Sequence, residues 1–198
     1  MRAIVFDLDG TLVQFDRPYD RLLADAVESA GGEPTAERLE AYTDAFYSHF
    51  GACEPDPVRS AFADAVPGAD AAALADALHR AELAASRPAP NAAADLERLA
   101  ADHRIGVLTN GVSSWQRAKL EAVGLERYAD AFVASYDAGA HKPAPEPFDL
   151  LERRLPAAEY AMVGDSDADV EGAVAAGWRA HRYDGGEFDA LPDALEWP

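Results

Sequence analysis

Short apolar runs alternate with amphipathic stretches along most of this 198-residue sequence. The apolar runs are bounded by Gly, Asp or Asn, which is typical of buried strands in a parallel sheet. Such strands are predicted at residues 2–6, 104–108, 131–134, 160–163 and 178–183. Helices are predicted between them, at residues 91–102, 113–123, 146–155 and 169–176. This alternation predicts a doubly wound, Rossmann-like α/β fold with a parallel sheet.

Residues 18–86 interrupt the alternation. They contain amphipathic helical segments and no convincing strand, at residues 18–30, 35–50, 57–66 and 70–85. Stretches with Gly and Pro separate these segments, as expected where helices stop. We therefore predict two domains, an α/β core of residues 1–15 and 88–198 and an inserted all-helical cap domain of residues 16–87. Four aromatic residues at helical spacing are predicted to pack in the cap core: Tyr42, Phe46, Tyr47 and Phe50.

The charge balance argues against two classes of partner. Asp and Glu number 36 against 17 Lys and Arg, which gives a formal net charge of −19. Such a surface repels nucleic-acid backbones and anionic membranes, so we expect neither as a partner. Lysine is especially scarce, with only Lys119 and Lys142. A large acid excess with so little lysine suggests a halophilic protein from a salt-rich cytoplasm, where ions screen self-repulsion.

The N-terminal residues enter an apolar run without the layout of a signal peptide. No stretch approaches the roughly 20 apolar residues that a membrane-spanning helix needs. We therefore expect a soluble, cytoplasmic protein. Its one cysteine, Cys53, excludes an internal disulfide and a thiolate metal cluster.

Polar side chains follow the predicted strands, at the edge where open α/β sheets bind ligands. They are Asp7, Asp9, Thr109, Asn110, Lys142, Asp165 and Asp169. Several carboxylates at one edge repel one another unless a cation neutralises them, and an all-oxygen set without His or Cys favours Mg²⁺. The hydroxyl, amide and lysine supply donors and positive charge for an anion beside the metal. Together these groups indicate phosphoryl transfer through an aspartyl-phosphate.

The two lysines receive different interpretations. Lys142 lies in a Pro-flanked loop beside the acidic edge, and a tight phosphate site can require the compact charge of lysine rather than the planar fork of arginine. Lys142 is therefore predicted to be functional. Lys119 lies inside a helical pattern and is predicted to be a solvated helix residue.

Four motifs then resemble one family. Asp7-Leu8-Asp9-Gly10-Thr11-Leu12 resembles the first motif of the haloacid dehalogenase-like superfamily. The other motifs follow in the family's order: Thr109-Asn110-Gly111, Lys142-Pro143, and Gly164-Asp165-Ser166 with Asp169. The resemblance spans the chain and implies a Mg²⁺-dependent phosphatase whose helical cap closes over the site.

The resemblance also implies roles for individual residues. Asp7 attacks phosphorus, while Asp9 protonates the leaving group and then activates the hydrolytic water. The side chains of Asp7 and Asp165 and the backbone carbonyl of Asp9 hold Mg²⁺. Thr109, the backbone of Asn110 and Lys142 bind the phosphoryl group.

Asp169 and several residues near the hinges carry open alternatives. Asp169 supports the metal ligands or pairs with Lys142, and it is equally suited to capping a helix. Residues near the two hinges are candidates for contacting the substrate from the cap side: Gln14, Asp16, Arg17, Tyr19 and Arg87. Of these, Arg17 is the candidate ligand for a second anionic group of the substrate, although it suits a surface charge equally.

The expected substrate is a small phosphorylated metabolite such as phosphoglycolate, a sugar phosphate or a nucleotide. Trp115, Gln116 and Lys119 after the second motif are similar to the phosphoglycolate phosphatase and nucleotidase branch. A 2-haloacid dehalogenase is one alternative, but dehalogenases of this family lack the second acid, here Asp9. A phosphomutase of the family has almost the same motifs. A phospho-receiver-like regulatory module is a non-enzyme alternative, disfavoured by the insertion and by the early position of Asp7.

Overall fold

The computed structural model describes residues 1–197. The chain separates into two compact units, one formed by residues 1–14 with the chain from residue 87 onward and the other by residues 15–86. Both boundaries fall within short strands that pair with each other. No helix among residues 1–197 is long and apolar enough to cross a lipid bilayer.

The first unit contains a five-stranded parallel sheet. The strands of the chain are β1 (Ala3–Phe6), β2 (Val13–Phe15), β3 (Ser86–Pro88), β4 (Arg104–Thr109), β5 (Ala131–Ala134), β6 (Tyr160–Gly164) and β7 (Arg179–Arg182). The large sheet has the order β5-β4-β1-β6-β7. In its register Ala3 pairs with Arg104 on one side and with Tyr160 on the other. The predicted doubly wound parallel fold is therefore confirmed.

Helices cover both faces of this sheet. They are α5 (Ala92–Ala100), α6 (Ser113–Ala122), α7 (Ser135–Ala138), α8 (Pro145–Arg154) and α9 (Asp167–Ala175). Side chains of β1 alternate between two apolar clusters, with Ile4 and Phe6 packed among residues of α5 and α6 and Val5 packed among residues of α8 and α9. All four residues of β1 are fully buried, because helices shield the central strand on both sides.

The second unit is all-helical apart from the short linking strands. Its helices are α1 (Tyr19–Ser29), α2 (Ala36–Gly51), α3 (Pro57–Ala65) and α4 (Ala71–Ala85). Thr35 and Asp70 cap α2 and α4 by accepting backbone N–H groups in the first helical turn. Within the unit, α1 packs on α4, and α2 packs on α3.

One prediction about this helical unit is partly wrong. Tyr42 is buried and its ring lies 4.3 Å from that of Phe62, as expected for a core aromatic. Phe46 and Phe50 are half-buried. Tyr47, however, is 66% exposed. It lies five residues after Tyr42 on α2, and that spacing turns its side chain well away from the buried face.

Candidate active site

The carboxyl ends of the sheet strands bring Asp7, Lys142 and Asp169 together. Asp7 directly follows β1, Lys142 lies in the loop between α7 and α8, and Asp169 is in the first turn of α9. The Lys142 ammonium donates to Asp7 Oδ1 at 2.7 Å, to Asp169 Oδ1 at 2.5 Å and to the Leu108 carbonyl at 2.7 Å. These three acceptors match the three hydrogens of a lysine ammonium. Lys142, which was predicted to be functional, thus connects the carboxyl-terminal ends of β1 and β4 with the start of α9.

Burial strongly affects this ion cluster. Lys142 is 5% exposed and Asp7 is 7% exposed. Burial raises the pKa of Asp7 to about 7, against the opposing attraction of Lys142 and with a further increase from the nearby Asp169 carboxylate. Burial also disfavours the charged form of Lys142, but the carboxylates of Asp7 and Asp169 outweigh it and raise the pKa of this amine. Lys142 therefore stays cationic, and additional positive charge near Asp7 would favour its ionised, nucleophilic form.

A third carboxylate completes a group suited to a cation. Asp7, Asp165 and Asp169 each offer an oxygen, and these oxygens lie within 4.8 Å of one another. Asp165 is exposed and accepts a hydrogen bond from the Thr11 hydroxyl at 3.2 Å. Gly10 permits this approach, because a Cβ at that position would lie 2.4 Å from an Asp165 oxygen. An oxygen-only set of this kind fits a hard divalent cation.

Asp169 differs from the other two carboxylates because both of its oxygens already have protein partners. Oδ1 accepts from Lys142, while Oδ2 accepts from the Ser166 backbone N–H at 3.0 Å and from the Ser166 hydroxyl at 2.6 Å. Ser166 in turn accepts from the Asp169 backbone, which forms a reciprocal capping box at the start of α9. Both the pairing with Lys142 and the capping contribution anticipated for Asp169 are present.

Asp9 lies at the more open side of the site, where it contacts two residues of α6. Lys119 donates to both carboxylate oxygens of Asp9 at 2.6 Å. Gln116 donates from Nε2 to Asp9 Oδ2 at 2.6 Å and to the Thr109 hydroxyl oxygen at 2.7 Å. The prediction that Lys119 is a solvated helix residue is wrong, because it is only 4% exposed and faces the site. Helical periodicity identified α6 but not the buried polar pair on its inner face.

The end of β4 and the loop that follows it bring Thr109 and Asn110 to the same edge. Thr109 is buried, and its hydroxyl oxygen accepts from Gln116. The Asn110 side chain forms two hydrogen bonds with the backbone of Lys142, donating to its carbonyl at 3.1 Å and accepting from its N–H at 2.8 Å. Asn110 therefore fixes the loop that carries the buried lysine, a contact that the sequence pattern does not predict.

A buried serine joins the same two loops. The Ser135 hydroxyl accepts from the Gly111 N–H at 2.9 Å and lies 2.7 Å from His141 Nδ1. Ser135 is fully buried. It therefore helps to hold the loop after β4 against the loop that contains Lys142.

Arg17 lies in the separate helical unit. Its guanidinium donates to Asp25 at 2.6 Å, and both side chains are more than two-fifths exposed. This ion pair is the arrangement expected of a surface charge. The substrate contact predicted for Arg17, and those considered for Gln14, Asp16, Tyr19 and Arg87, stay predictions.

The fold and the site together define a doubly wound α/β protein with an acidic, lysine-containing site at the carboxyl edge of its sheet. Residues 1–177 match the family of haloacid dehalogenase-like hydrolases. The chain belongs to this family.

Two curated relatives are phosphatases. The chain is 40% identical over 125 residues to ribulose-1,5-bisphosphate 5-phosphatase of Halopiger xanaduensis. The aligned region covers 61% of this chain and 52% of the relative. It is 31% identical to phosphoserine phosphatase of Thermus thermophilus over an alignment 232 positions long. That alignment covers 98% of this chain and 93% of the relative. The chain thus spans about half the length of the Halopiger relative and nearly all of the Thermus relative.

Two solved structures share the fold. The HAD hydrolase YfnB of Bacillus subtilis, solved bound to magnesium, has a TM-score of 0.73 at 25% identity, covering 90% of this chain and 86% of that one. L-2-haloacid dehalogenase of Xanthobacter autotrophicus has a TM-score of 0.70 at 27% identity, and the match covers 96% of this chain and 80% of that one. The similar proteins therefore include both phosphatases and a dehalogenase.

Proposed function

We propose that this protein is a Mg²⁺-dependent phosphomonoester hydrolase that acts through an aspartyl-phosphate on Asp7. The observation that carries the proposal is the buried contact between Asp7 and Lys142, with Asp165 and Asp169 beside it. A carboxylate nucleophile held next to a fixed ammonium and a group of acids suits attack on a phosphate monoester, because negative charge accumulates there.

The donor set near Asp7 fits a magnesium ion. The side chains of Asp7 and Asp165 and the backbone carbonyl of Asp9 would hold it, and Asp169 would support this arrangement through Lys142 and Ser166. When bound, Mg²⁺ supplies positive charge that neutralises carboxylate and phosphoryl oxygens. The raised pKa of Asp7 supports this assignment, since a nearby cation lowers that pKa and favours the ionised form.

In the first half-reaction, a carboxylate oxygen of Asp7 forms a bond to phosphorus while the bond from phosphorus to the ester oxygen breaks. Asp9 gives its proton to the departing oxygen. In the second half-reaction, Asp9 removes a proton from water as that water attacks phosphorus, and the bond from phosphorus to Asp7 breaks. Inorganic phosphate leaves and the Asp7 carboxylate is restored.

The remaining residues bind the transferring group. Thr109 and the backbone of Asn110 would donate to phosphoryl oxygens, and Lys142 would stabilise charge on Asp7 and on the phosphoryl group. Because the three hydrogens of Lys142 already reach Asp7, Asp169 and Leu108, its contribution to the phosphoryl group acts mainly as a nearby positive charge. The helical unit of residues 15–86 would act as the cap that selects the substrate, with Arg17 as one contact.

The substrate class follows from the named relatives. Those proteins are phosphatases for ribulose 1,5-bisphosphate and phosphoserine, both small phosphorylated metabolites. We therefore infer a small phosphorylated metabolite as substrate. Phosphoglycolate, sugar phosphates and nucleotides are the compounds to test first.

A haloacid dehalogenase is the second candidate because one of the similar structures has that activity. Asp9 argues against it, since attack on carbon with loss of halide needs no carboxylate to protonate a leaving oxygen. In this protein Asp9 is present and is held by two side chains. Hydrolysis of phosphate esters is therefore favoured.

The decisive experiment measures release of p-nitrophenol from p-nitrophenyl phosphate at high KCl, with Mg²⁺ or with EDTA. We expect turnover by the wild type with Mg²⁺, and loss of that turnover in EDTA and in Asp7→Asn. Asp7→Asn has almost the same shape but lacks the nucleophilic carboxylate. Wild-type rates in folded Asp7→Asn, or release of halide from 2-chloropropionate by the wild type, would refute the proposal.

A further inference from the structure

The inner face of α6 presents two polar side chains to the site, Gln116 and Lys119. They are three residues apart, so they lie next to each other on the same face of the helix. Both are buried, at 3% and 4% exposure. A buried amine and a buried amide on a face that otherwise packs in the core require a specific partner, because burying an unsatisfied polar group is unfavourable.

Their shared partner is the carboxylate of Asp9. The Lys119 ammonium lies 2.6 Å from each oxygen of this carboxylate. The Asp9 side chain is 41% exposed, so the rest of its surroundings leave it open to solvent. Because the ammonium is equally far from the two oxygens, it fixes where the carboxyl group lies, while the hydrogen bond from Gln116 to Oδ2 alone resists rotation about the Cβ–Cγ bond.

Gln116 connects Asp9 with the neighbouring threonine. Only the nitrogen end of its amide can donate to a carboxylate, so the bond to Asp9 fixes how this amide is oriented. The second N–H of the same nitrogen is directed at the Thr109 hydroxyl oxygen. Since that oxygen accepts from Gln116, the hydroxyl hydrogen of Thr109 is left to donate elsewhere, as a contact with a phosphoryl oxygen requires.

The backbone of the loop after β4 accommodates Gln116 closely. A Cβ at position 111 would lie 2.6 Å from Cγ and 2.7 Å from Cδ of Gln116. A side chain at this position would therefore displace Gln116 or the loop. Gly111 is thus the residue that allows the amide to reach Asp9 and Thr109.

From these contacts we propose that Lys119 and Gln116 are positioning residues that hold the Asp9 carboxyl group for proton transfer. The ionised carboxylate that they contact accepts the proton that the attacking water loses, and the protonated group then gives that proton to the leaving oxygen of the next substrate. The proposal rests on the proposed function, because it assigns Asp9 the proton that the departing group receives. Lys119 acts on Asp9, whereas Gln116 acts on Asp9 and on the hydroxyl of Thr109. Correct placement of an acid matters because proton transfer requires hydrogen-bond distance and alignment.

This role has a kinetic signature that a general loss of structure lacks. A nitrophenolate leaves readily without being protonated, whereas the departure of an unsubstituted phenolate depends more strongly on protonation. Misplacing Asp9 should therefore slow phenyl phosphate more than p-nitrophenyl phosphate, two substrates of nearly the same shape. The constant to compare is kcat/KM, which reports the first half-reaction even when hydrolysis of the phospho-enzyme limits kcat.

The test compares Lys119→Met and Gln116→Leu with wild type on both substrates. We expect Lys119→Met to lower kcat/KM for phenyl phosphate about tenfold more than for p-nitrophenyl phosphate, within the range general-acid catalysis supplies. Gln116→Leu should show the same selective loss plus a loss common to both substrates, because Thr109 also loses a partner. Arg117→Met is the matched control, since it removes a charge of the same sign from α6, at a half-exposed position where Arg117 pairs with Glu126 beyond the end of the helix. It should leave the ratio of the two constants unchanged.

A double variant separates positioning from folding. In the Asp9→Asn background the acid is already missing, so adding Lys119→Met should lower kcat/KM for phenyl phosphate less than twofold further. Three outcomes would overturn the positioning role. Lys119→Met could lower kcat/KM equally for both substrates, or lower it as much in the Asp9→Asn background as in wild type. It could also leave the rates at or above those of wild type. If folded wild type hydrolyses neither substrate with Mg²⁺, or if Asp7→Asn keeps its activity, the proposed function fails and the positioning role fails with it.

Discussion

Lysine is the scarcest charged residue of this chain, and both of its copies are buried at the site. Lys142 contacts Asp7 and Asp169, and Lys119 contacts Asp9. Arginine fills the exposed ion pairs, for example Arg17 with Asp25 and Arg154 with Asp137. A lysine ammonium is a compact charge that can meet three acceptors in a confined space, whereas a guanidinium is planar and larger. The scarcity that drew attention to Lys142 applied equally to Lys119.

Replacing Lys142 should strongly destabilise the protein. Lys142→Met leaves the buried carboxylates of Asp7 and Asp169 without their shared cation, and breaking a buried ion pair in this way costs about 3–5 kcal/mol. The measurement is the free energy of unfolding in urea, with EDTA present. Lys119→Met is the matched control, and its loss should be smaller because Asp9 keeps access to water. Equal losses in the two variants would contradict this explanation.

At the level of elements, the bounds of the strands in the large sheet were predictable to within one residue. Four of them, β1, β4, β5 and β6, contain short apolar runs that end at a polar or glycine position, as burial on both faces requires. The edge strand β7 is Arg-Ala-His-Arg and is only partly buried. The strands β2 and β3 were not predicted. Each has three residues, too few to show a pattern, and their pairing depends on the return of the chain after the whole helical unit.

The site was predictable to a similar degree. Residues that directly follow strands, such as Asp7 and Asp165, meet at one edge because parallel strands end on the same side of a sheet. The contributions of Gln116 and Lys119 could not be derived in this way, since helical periodicity does not identify which buried polar side chains meet. A usable signal exists in retrospect: two long polar residues, three apart, at positions of α6 that should face the core.

Between α2 and α3, one histidine links two acids. His49 lies 2.6 Å from Glu54 through Nδ1 and 2.9 Å from Asp64 through Nε2. Hydrogen bonds to Asp64 and then to Glu54 raise the pKa of His49 above its ordinary value. A cationic ring can donate from both nitrogens, whereas a neutral ring can donate from only one.

The pH dependence of stability should report this histidine. Because its pKa is raised in the folded state, its contribution is fully present below the unfolded value of about 6.5 and is lost as the pH rises through the folded value. We expect the urea midpoint of wild type to exceed that of His49→Gln below pH 6, and the difference to shrink by pH 9. Asp64→Asn should reduce this pH-dependent difference. A difference that stays constant from pH 5 to pH 9 would contradict the assignment.

At the scale of the whole molecule, the net charge of −19 gives a strong self-repulsion. Salt shortens the range of that repulsion, since the Debye length falls from about 10 Å at 0.1 M to about 3 Å at 1 M. The compact state holds these charges closer together than the unfolded chain does. It therefore gains more from screening.

The melting temperature should accordingly rise with KCl between about 0.1 M and 1 M, the range over which screening becomes short-ranged. Differential scanning calorimetry measures this rise. Glu40→Lys, at an exposed position of α2, should raise the melting temperature at low salt and give little advantage at high salt. A melting temperature independent of KCl, or an equal gain from Glu40→Lys at both concentrations, would count against self-repulsion as the cause.

The central place of β1 in the sheet also has a consequence for the order in which this protein can assemble during synthesis. Its pairing partners β4 and β6 come from much later in the chain, where Arg104 and Tyr160 meet Ala3. The helical unit of residues 15–86 leaves the ribosome between them. The nascent chain therefore carries an apolar strand with both edges unpaired while its helical unit, built mostly from contacts between segments nearby in sequence, is already complete. Until β6 emerges, protection of β1 from aggregation has to come from chaperones or from transient contacts.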